Sequence, residues 1–143
     1  MRKNANILVD SDAFVALSKK DDTGHKKANA LLERLLQKPV VFSTSNYVFS
    51  ETVTVISQHL GRKQAALFIR ELKAAESIFS VYWIDDEIES LAIEIFYNQT
   101  SKNVSFVDCT NMAILKKFNV DAIFSFDSIY KRNGFILVED LRL

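Results

Sequence analysis

Short apolar runs rich in β-branched and aromatic residues alternate along this chain with longer stretches of helical periodicity. That alternation restricts the fold more than any single residue does. Ile7-Leu8-Val9, Val40-Val41-Phe42, Phe79 to Ile84, Ala122 to Phe126 and Phe135 to Val138 read as strands. Between them, Ala13 to Leu17 reads as a short helix. Lys26 to Gln37 carries apolar residues at 28, 31, 32, 35 and 36, one helical face, and Pro39 ends it. Ser45 or Asn46 caps a helix running to about Leu60, closed by Gly61. Further helices are predicted over 63–76, from Asp85-Asp86 to about Tyr97, and from Ser105 to about Phe118. Apolar strands alternating with helices imply a mainly parallel sheet of about five strands covered on both faces, a three-layer α/β/α fold.

The 143 residues fit a single domain spanning 1–143, and 48% apolar against 25% charged residues suffices for one core. Eighteen Lys+Arg balance 18 Asp+Glu, so bulk charge does not draw nucleic acid; a local basic patch has to do that. Cys109 is alone and cannot form an internal disulfide. The apolar run after Met1-Arg2-Lys3-Asn4 is too short for a signal-peptide core, and no run approaches the roughly 20 apolar residues of a membrane span. The expectation is a cytoplasmic protein with no membrane partner.

Four acids stand where an apolar run meets a polar break or a helix start: Asp10, Glu51, Asp108 and Asp127. In parallel α/β sheets ligands gather at the carboxyl ends of the strands. Asp10 ends the first strand, Glu51 lies early in the helix after the second, and Asp127 follows the strand at 122–126. Asp108 reaches the same edge only if residues 98–105 carry the chain back. Gathered carboxylates repel unless a cation sits among them. Hard, oxygen-seeking Mg²⁺ or Mn²⁺ fits such a set and supplies phosphodiester chemistry. Only His25, His59 and Cys109 are available otherwise, which argues against zinc, a metal-free ribonuclease base or a Ser-His nucleophile.

Each acid also has a purely structural reading. Asp10-Ser11-Asp12 can cap the following helix, and Ser105-Phe106-Val107-Asp108 matches a capping box. Asp127 can be a turn residue, and Glu51, flanked on its helix face by Val48 and Val55, can have a buried basic partner. It is the joint placement of four acids at one edge that favours chemistry.

Taken in order, these segments are familiar. Ile7-Leu8-Val9-Asp10-Ser11-Asp12-Ala13-Phe14-Val15-Ala16-Leu17 resembles the opening strand and helix of PIN-domain nucleases. Thr44-Ser45-Asn46-Tyr47-Val48-Phe49-Ser50-Glu51 is similar to their second acidic motif, and Ser105 to Asp108 to their third. Phe124-Ser125-Phe126-Asp127-Ser128-Ile129-Tyr130, running on to Gly134-Phe135, resembles the last. The compact size is most similar to VapC-type toxins, the ribonucleases of toxin–antitoxin pairs. This resemblance implies Mg²⁺- or Mn²⁺-dependent endonucleolytic cleavage of RNA such as tRNA or rRNA, a homodimer, and a cognate antitoxin that blocks the site. It makes Asp10, Glu51, Asp108 and Asp127 the catalytic, metal-binding quartet, with Ser105 steadying Asp108 or a local water.

Two positions depart from the family pattern. Asp12 is acidic where a neutral or small residue is usual; it either adds charge to the site or caps a helix. Tyr130 replaces the more usual Phe and keeps an aromatic in the core. Lys131 and Arg132 follow Asp127 closely enough to hold RNA phosphates. Lys19-Lys20, Arg62-Lys63 and Lys116-Lys117 are further candidates.

Two other functions compete. One is a haloacid-dehalogenase-like phosphatase with Asp10 as nucleophile, although the Lys motif and acidic pair of that family have no convincing match. The other is a non-catalytic PIN-like scaffold that binds RNA or protein; retention of all four acids argues against it.

Overall fold

A computed structural model describes residues 4–143. Met1–Lys3, part of the N-terminal stretch read above, lie outside the described residues. Four parallel strands form the sheet: β1 (Ala5–Val9), β2 (Val40–Ser45), β3 (Phe79–Tyr82) and β4 (Ala122–Phe124), in the order β3-β2-β1-β4. Seven helices connect and flank them among the described residues: α1 (Ser11–Ser18), α2 (Thr23–Leu36), α3 (Asn46–Leu60), α4 (Arg62–Lys73), α5 (Asp86–Tyr97), α6 (Phe106–Lys117) and α7 (Ile129–Arg132).

Alternation along the strands sorts the core into two halves. Ile7 and Val9, with Phe42, Ala122 and Phe124, pack on the side of Phe14, Ala28, Leu35, Ile56 and Phe68, from α1 to α4. Leu8 and Ile123 point the other way, into Ile88, Ala92, Met112, Ile114 and Tyr130. A sheet buried on both faces explains why these strands lack a polar face. No helix among the described residues is long and apolar enough to cross a membrane.

The predicted fifth strand is reduced to one bridge. Leu137 pairs with Ile123 in parallel fashion, Ile123 N–H donates to Ile136 C=O at 2.9 Å, and Val138–Asp140 then winds into a 3-10 turn. The cause lies just upstream. The short α7 ends at a tight turn through Gly134, whose φ of 88° suits a residue without a Cβ. The chain therefore returns to the sheet with room for one register position rather than a full strand.

Residues 98–105 do not have to climb the sheet. α5 and α6 form an antiparallel hairpin: Glu87 at the start of α5 pairs with Lys117 at the end of α6 (2.6 Å), while Phe96 and Phe106 meet at the other end with ring centroids 6.2 Å apart. α5 itself makes the return, and the 98–105 segment is only the tip of the hairpin. That tip delivers the start of α6 to the end of β1.

Candidate active site

Asp10 stands at the end of β1 and caps α1, accepting from Ser11 N–H at 2.8 Å. Its own N–H donates to Phe124 C=O (3.0 Å), tying it to the end of β4. The side chain is buried, with the residue 4% exposed. One carboxylate oxygen accepts from Asn111 Nδ2 at 3.1 Å and the other from the Tyr130 hydroxyl at 2.8 Å. The same hydroxyl lies 3.1 Å from Asp108 Oδ1 and accepts from Asn111 Nδ2 at 2.9 Å. Asp10 and Asp108, 98 positions apart in the numbering, thus share one oxygen atom as neighbour.

Asp108 does two things at once. Its Oδ2 accepts from Ser105 N–H (2.9 Å) while Ser105 Oγ accepts from Asp108 N–H (3.0 Å), a complete capping box at the start of α6. Its Oδ1 faces Tyr130. The capping role occupies one oxygen and leaves the other facing the Tyr130 hydroxyl. Ser105 and Asp108 are thus locked to each other by the two bonds of the box.

Glu51, half-buried on α3, accepts from the hydroxyl of Ser11, the neighbour of Asp10 in the chain. No basic side chain pairs with it, so the buried-partner reading falls away among the described residues. An open cleft of about 380 Å³ lies beside it, lined by Tyr47, Ser50, Thr54, Val55 and Val107. Asp127 is exposed and accepts from Ile129 N–H (3.0 Å), the turn role foreseen for it. Its own N–H donates to Ser125 Oγ at 3.2 Å.

Asp12 is not the helix cap; Asp10 is. Asp12 Oδ2 instead latches the segment after β4, accepting from Phe126 N–H (2.8 Å) and Ser125 Oγ (3.1 Å). Its Oδ1 is buried without a hydrogen-bond partner. Burial raises the Asp12 carboxyl above its ordinary range, hydrogen bonds from Phe126, Ser125 and Ala13 oppose the rise, and the charge of Asp127 adds to it. Burial pushes Asp10 up from 3.8 to about 7, with the charges of Asp12 and Asp108 adding to the effect. The negative charge is therefore concentrated around Asp10. As the side chains stand, no three His, Cys, Asp or Glu groups among the described residues gather closely enough to hold a metal ion. Asp10 and Asp108 meet on the Tyr130 hydroxyl, whereas Glu51 is tied to Ser11 and Asp127 to the Ser125 segment that Asp12 latches, and neither is hydrogen-bonded to Asp10 or Asp108.

The PIN-domain profile matches residues 7–136, a span that holds every one of these acids. The chain belongs to the PIN-domain family. It is 29% identical over 132 residues to the 23S rRNA-specific endonuclease VapC20 of Mycobacterium tuberculosis, covering 92% of this chain and 97% of that relative. The crystal structure of M. tuberculosis VapC20, a sarcin–ricin loop cleaving toxin, matches with a TM-score of 0.81 at 27% identity, over 91% of this chain and 96% of that one. A toxin–antitoxin complex from Klebsiella pneumoniae (TM-score 0.60, 11% identity, 86% and 88% covered) and FitAcB from Neisseria gonorrhoeae (0.64, 16%, 85% and 88%) share the fold.

Within this PIN domain, Lys131 is exposed and sits 3.5 Å from Asp140, and Arg132 is exposed at the end of α7. Neither contacts the acids. The residues that sequence reasoning missed are Tyr130, noted only as an aromatic, and Asn111. A usable signal existed for each. Buried tyrosine hydroxyls find partners, and Asn111 sits three residues after Asp108, on the same helix face, directly before the apolar run Met112-Ala113-Ile114-Leu115. A lone amide there asks for a polar partner.

The Asp12 latch gives a direct test. Asp12→Asn keeps an oxygen for Phe126 N–H and removes the charge that helps hold Asp10 protonated. With the metal chelated, the variant is expected to show a smaller fall in melting temperature between about pH 5 and pH 8 than the parent protein. Thermal melts at the two pH values measure it, and an unchanged pH slope would disprove the coupling.

Proposed function

We propose that this PIN domain is a divalent-metal-dependent endoribonuclease, the toxin of a toxin–antitoxin pair. The observation that carries the reading is the meeting of Asp10 and Asp108 on one hydroxyl, in a buried site with no Lys or Arg paired to them among the described residues. Anionic oxygens, a carboxyl raised to about 7 and no ammonium or guanidinium counter-charge make a donor set that fits a hard cation. Asp10 and Asp108 would hold Mg²⁺ or Mn²⁺, with Glu51 and Asp127 completing the set from the flanks. When bound, the ion supplies the Lewis acidity that makes water nucleophilic near neutral pH and offsets charge on the phosphodiester.

The protein residues do the rest. Ser11 orients the Glu51 carboxylate at the flank of the set; as water adds to phosphorus and the P–O bond to the leaving oxygen breaks, the proton of the water passes to solvent and the leaving oxygen takes one from solvent. The Asp12 latch fixes the Ser125–Asp127 turn beside the site. Asn111 and Tyr130 hold Asp10 in one rotamer. The position of Lys131 and Arg132, outside this network, leaves their contact with RNA phosphates as part of the proposal.

The likeness to VapC20, a 23S rRNA-specific endonuclease and toxin, makes ribosomal RNA the first substrate class to examine; a cognate antitoxin, a homodimer and a cytoplasmic location are part of the same proposal. The phosphatase alternative loses its support, because the PIN-domain profile spans residues 7–136 and the Lys motif and acidic pair of the haloacid-dehalogenase-like family have no convincing match. The test is cleavage mapping on ribosomes and total RNA with Mg²⁺, Mn²⁺ or chelator. Discrete new 5′ ends that appear only with metal are expected. RNA binding without cleavage in either metal would favour the scaffold reading.

A further inference from the structure

The Tyr130 hydroxyl has one proton and three polar neighbours. It lies 2.8 Å from Asp10 Oδ2 and 3.1 Å from Asp108 Oδ1, and it accepts from Asn111 Nδ2 at 2.9 Å. With Asn111 fixed as donor, the phenol proton must point at the carboxylates. The side chain has no freedom to turn away: Tyr130 is wholly buried, on the single turn α7, packed in the half of the core that holds Met112, Ile114 and Leu137. Asn111 is equally buried and holds Asp10 Oδ1 with the same amide nitrogen. A rigid phenol and a rigid amide therefore turn two carboxylates from different elements toward one point.

We propose that Tyr130, seated by Asn111, is a positioning residue for the divalent ion: its hydroxyl keeps Asp10 and Asp108 side by side and correctly turned while no ion is bound. This rests on the reading of Asp10 and Asp108 as ligands. Two facing carboxylates without a donor between them swing apart, and an incoming ion must then restore their orientation. Outer hydrogen bonds that orient ligands are worth about ten- to a hundredfold in metal affinity. A phenylalanine at this position fills the same core volume but lacks the bridge.

The test is Mn²⁺ titration of the purified protein by calorimetry, well below its melting temperature, for the parent, Tyr130→Phe, Asn111→Ser and Asp10→Asn. Circular dichroism and melting curves confirm folding. Tyr130→Phe is expected to bind Mn²⁺ about tenfold more weakly and Asn111→Ser to be weakened by a smaller factor. Asp10→Asn is expected to lose binding. A purely structural role for the tyrosine would lower the melting temperature and leave the Mn²⁺ affinity alone. If Tyr130→Phe binds Mn²⁺ as tightly as the parent or more tightly, the positioning role is overturned while the ligand reading survives. Should Tyr130→Phe not fold, unchanged affinity in Asn111→Ser overturns it instead. If Asp10→Asn retains full affinity, or the parent shows no binding, the ligand reading itself fails and the proposal with it.

Discussion

Replacing Asp10 by Asn should make the metal-free protein more stable near neutral pH while abolishing RNA cleavage. In the folded protein the Asp10 carboxyl is raised from 3.8 to about 7, first by burial and then by Asp12 and Asp108. Between those values the folded state keeps a proton that the unfolded chain has released, so the contribution of this one group to stability is fully present below pH 3.8 and is lost as pH rises toward 7. The loss at pH 7 and above is on the order of 2–4 kcal/mol. Asn carries no such penalty. Its Oδ1 can still accept from Ser11 N–H and Asn111 Nδ2. Its Nδ2 can donate to the Tyr130 hydroxyl, which then gives its proton to Asp108. A rise of roughly 5–10 °C in melting temperature at about pH 8 in chelator follows, vanishing near pH 4. A melting temperature that drops at pH 8, with the fold otherwise intact, would show that the charge at Asp10 is already compensated by something other than a metal. With Asp10 as the proposed ligand, saturating Mn²⁺ should reverse the order by binding the folded parent alone.

A residue whose charge weakens the fold and whose removal ends activity is the usual mark of a functional site. Here the mark comes from three-dimensional neighbours, and this explains what the sequence could and could not show. Strand and helix order, the parallel sheet and the place of Asp10, Glu51 and Asp127 were legible because apolar alternation and polar breaks are local signals. Asp108 was legible as an acid at a helix start. Its route to the site was not, because the antiparallel α5–α6 hairpin is specified by contacts such as Glu87 with Lys117 and Phe96 with Phe106, which sequence spacing does not announce. The strand predicted at Phe135–Val138 failed for a related reason. Its apolar run is genuine, and Leu137 and Val138 are buried, but the turn at Gly134 leaves it a single bridge to β4. Asp12 showed the same ambiguity. Capping and added charge were both compatible with its position, and only its contact with Phe126 N–H, 114 positions away, decides against the cap. Tyr130 was read by its ring because the ring is what hydrophobic periodicity reports; its hydroxyl acts across 120 positions on Asp10 and 22 on Asp108.

Asp108→Asn separates the two jobs of that residue. The amide oxygen can replace Oδ2 in accepting from Ser105 N–H, so the capping box survives. The amide nitrogen then faces the Tyr130 hydroxyl, which accepts from it and from Asn111 and donates to Asp10. Every hydrogen bond in the network keeps a partner. What changes is charge. The helix start of α6 loses an anion that favoured it by about 0.3–1 kcal/mol, and Asp10 loses a repulsive neighbour. These opposing terms nearly cancel, so the metal-free melting temperature should move by only a few degrees, unlike that of Asp10→Asn. Activity should not be spared. With Asp108 in the proposed ligand role, its loss removes several kcal/mol of transition-state stabilisation, about a thousandfold in rate. Single-turnover cleavage of the mapped RNA, with melting curves on the same preparations, measures both quantities. A variant with parental cleavage rates would mean that Asp108 serves α6 alone and that the ion, if one binds, is held without it.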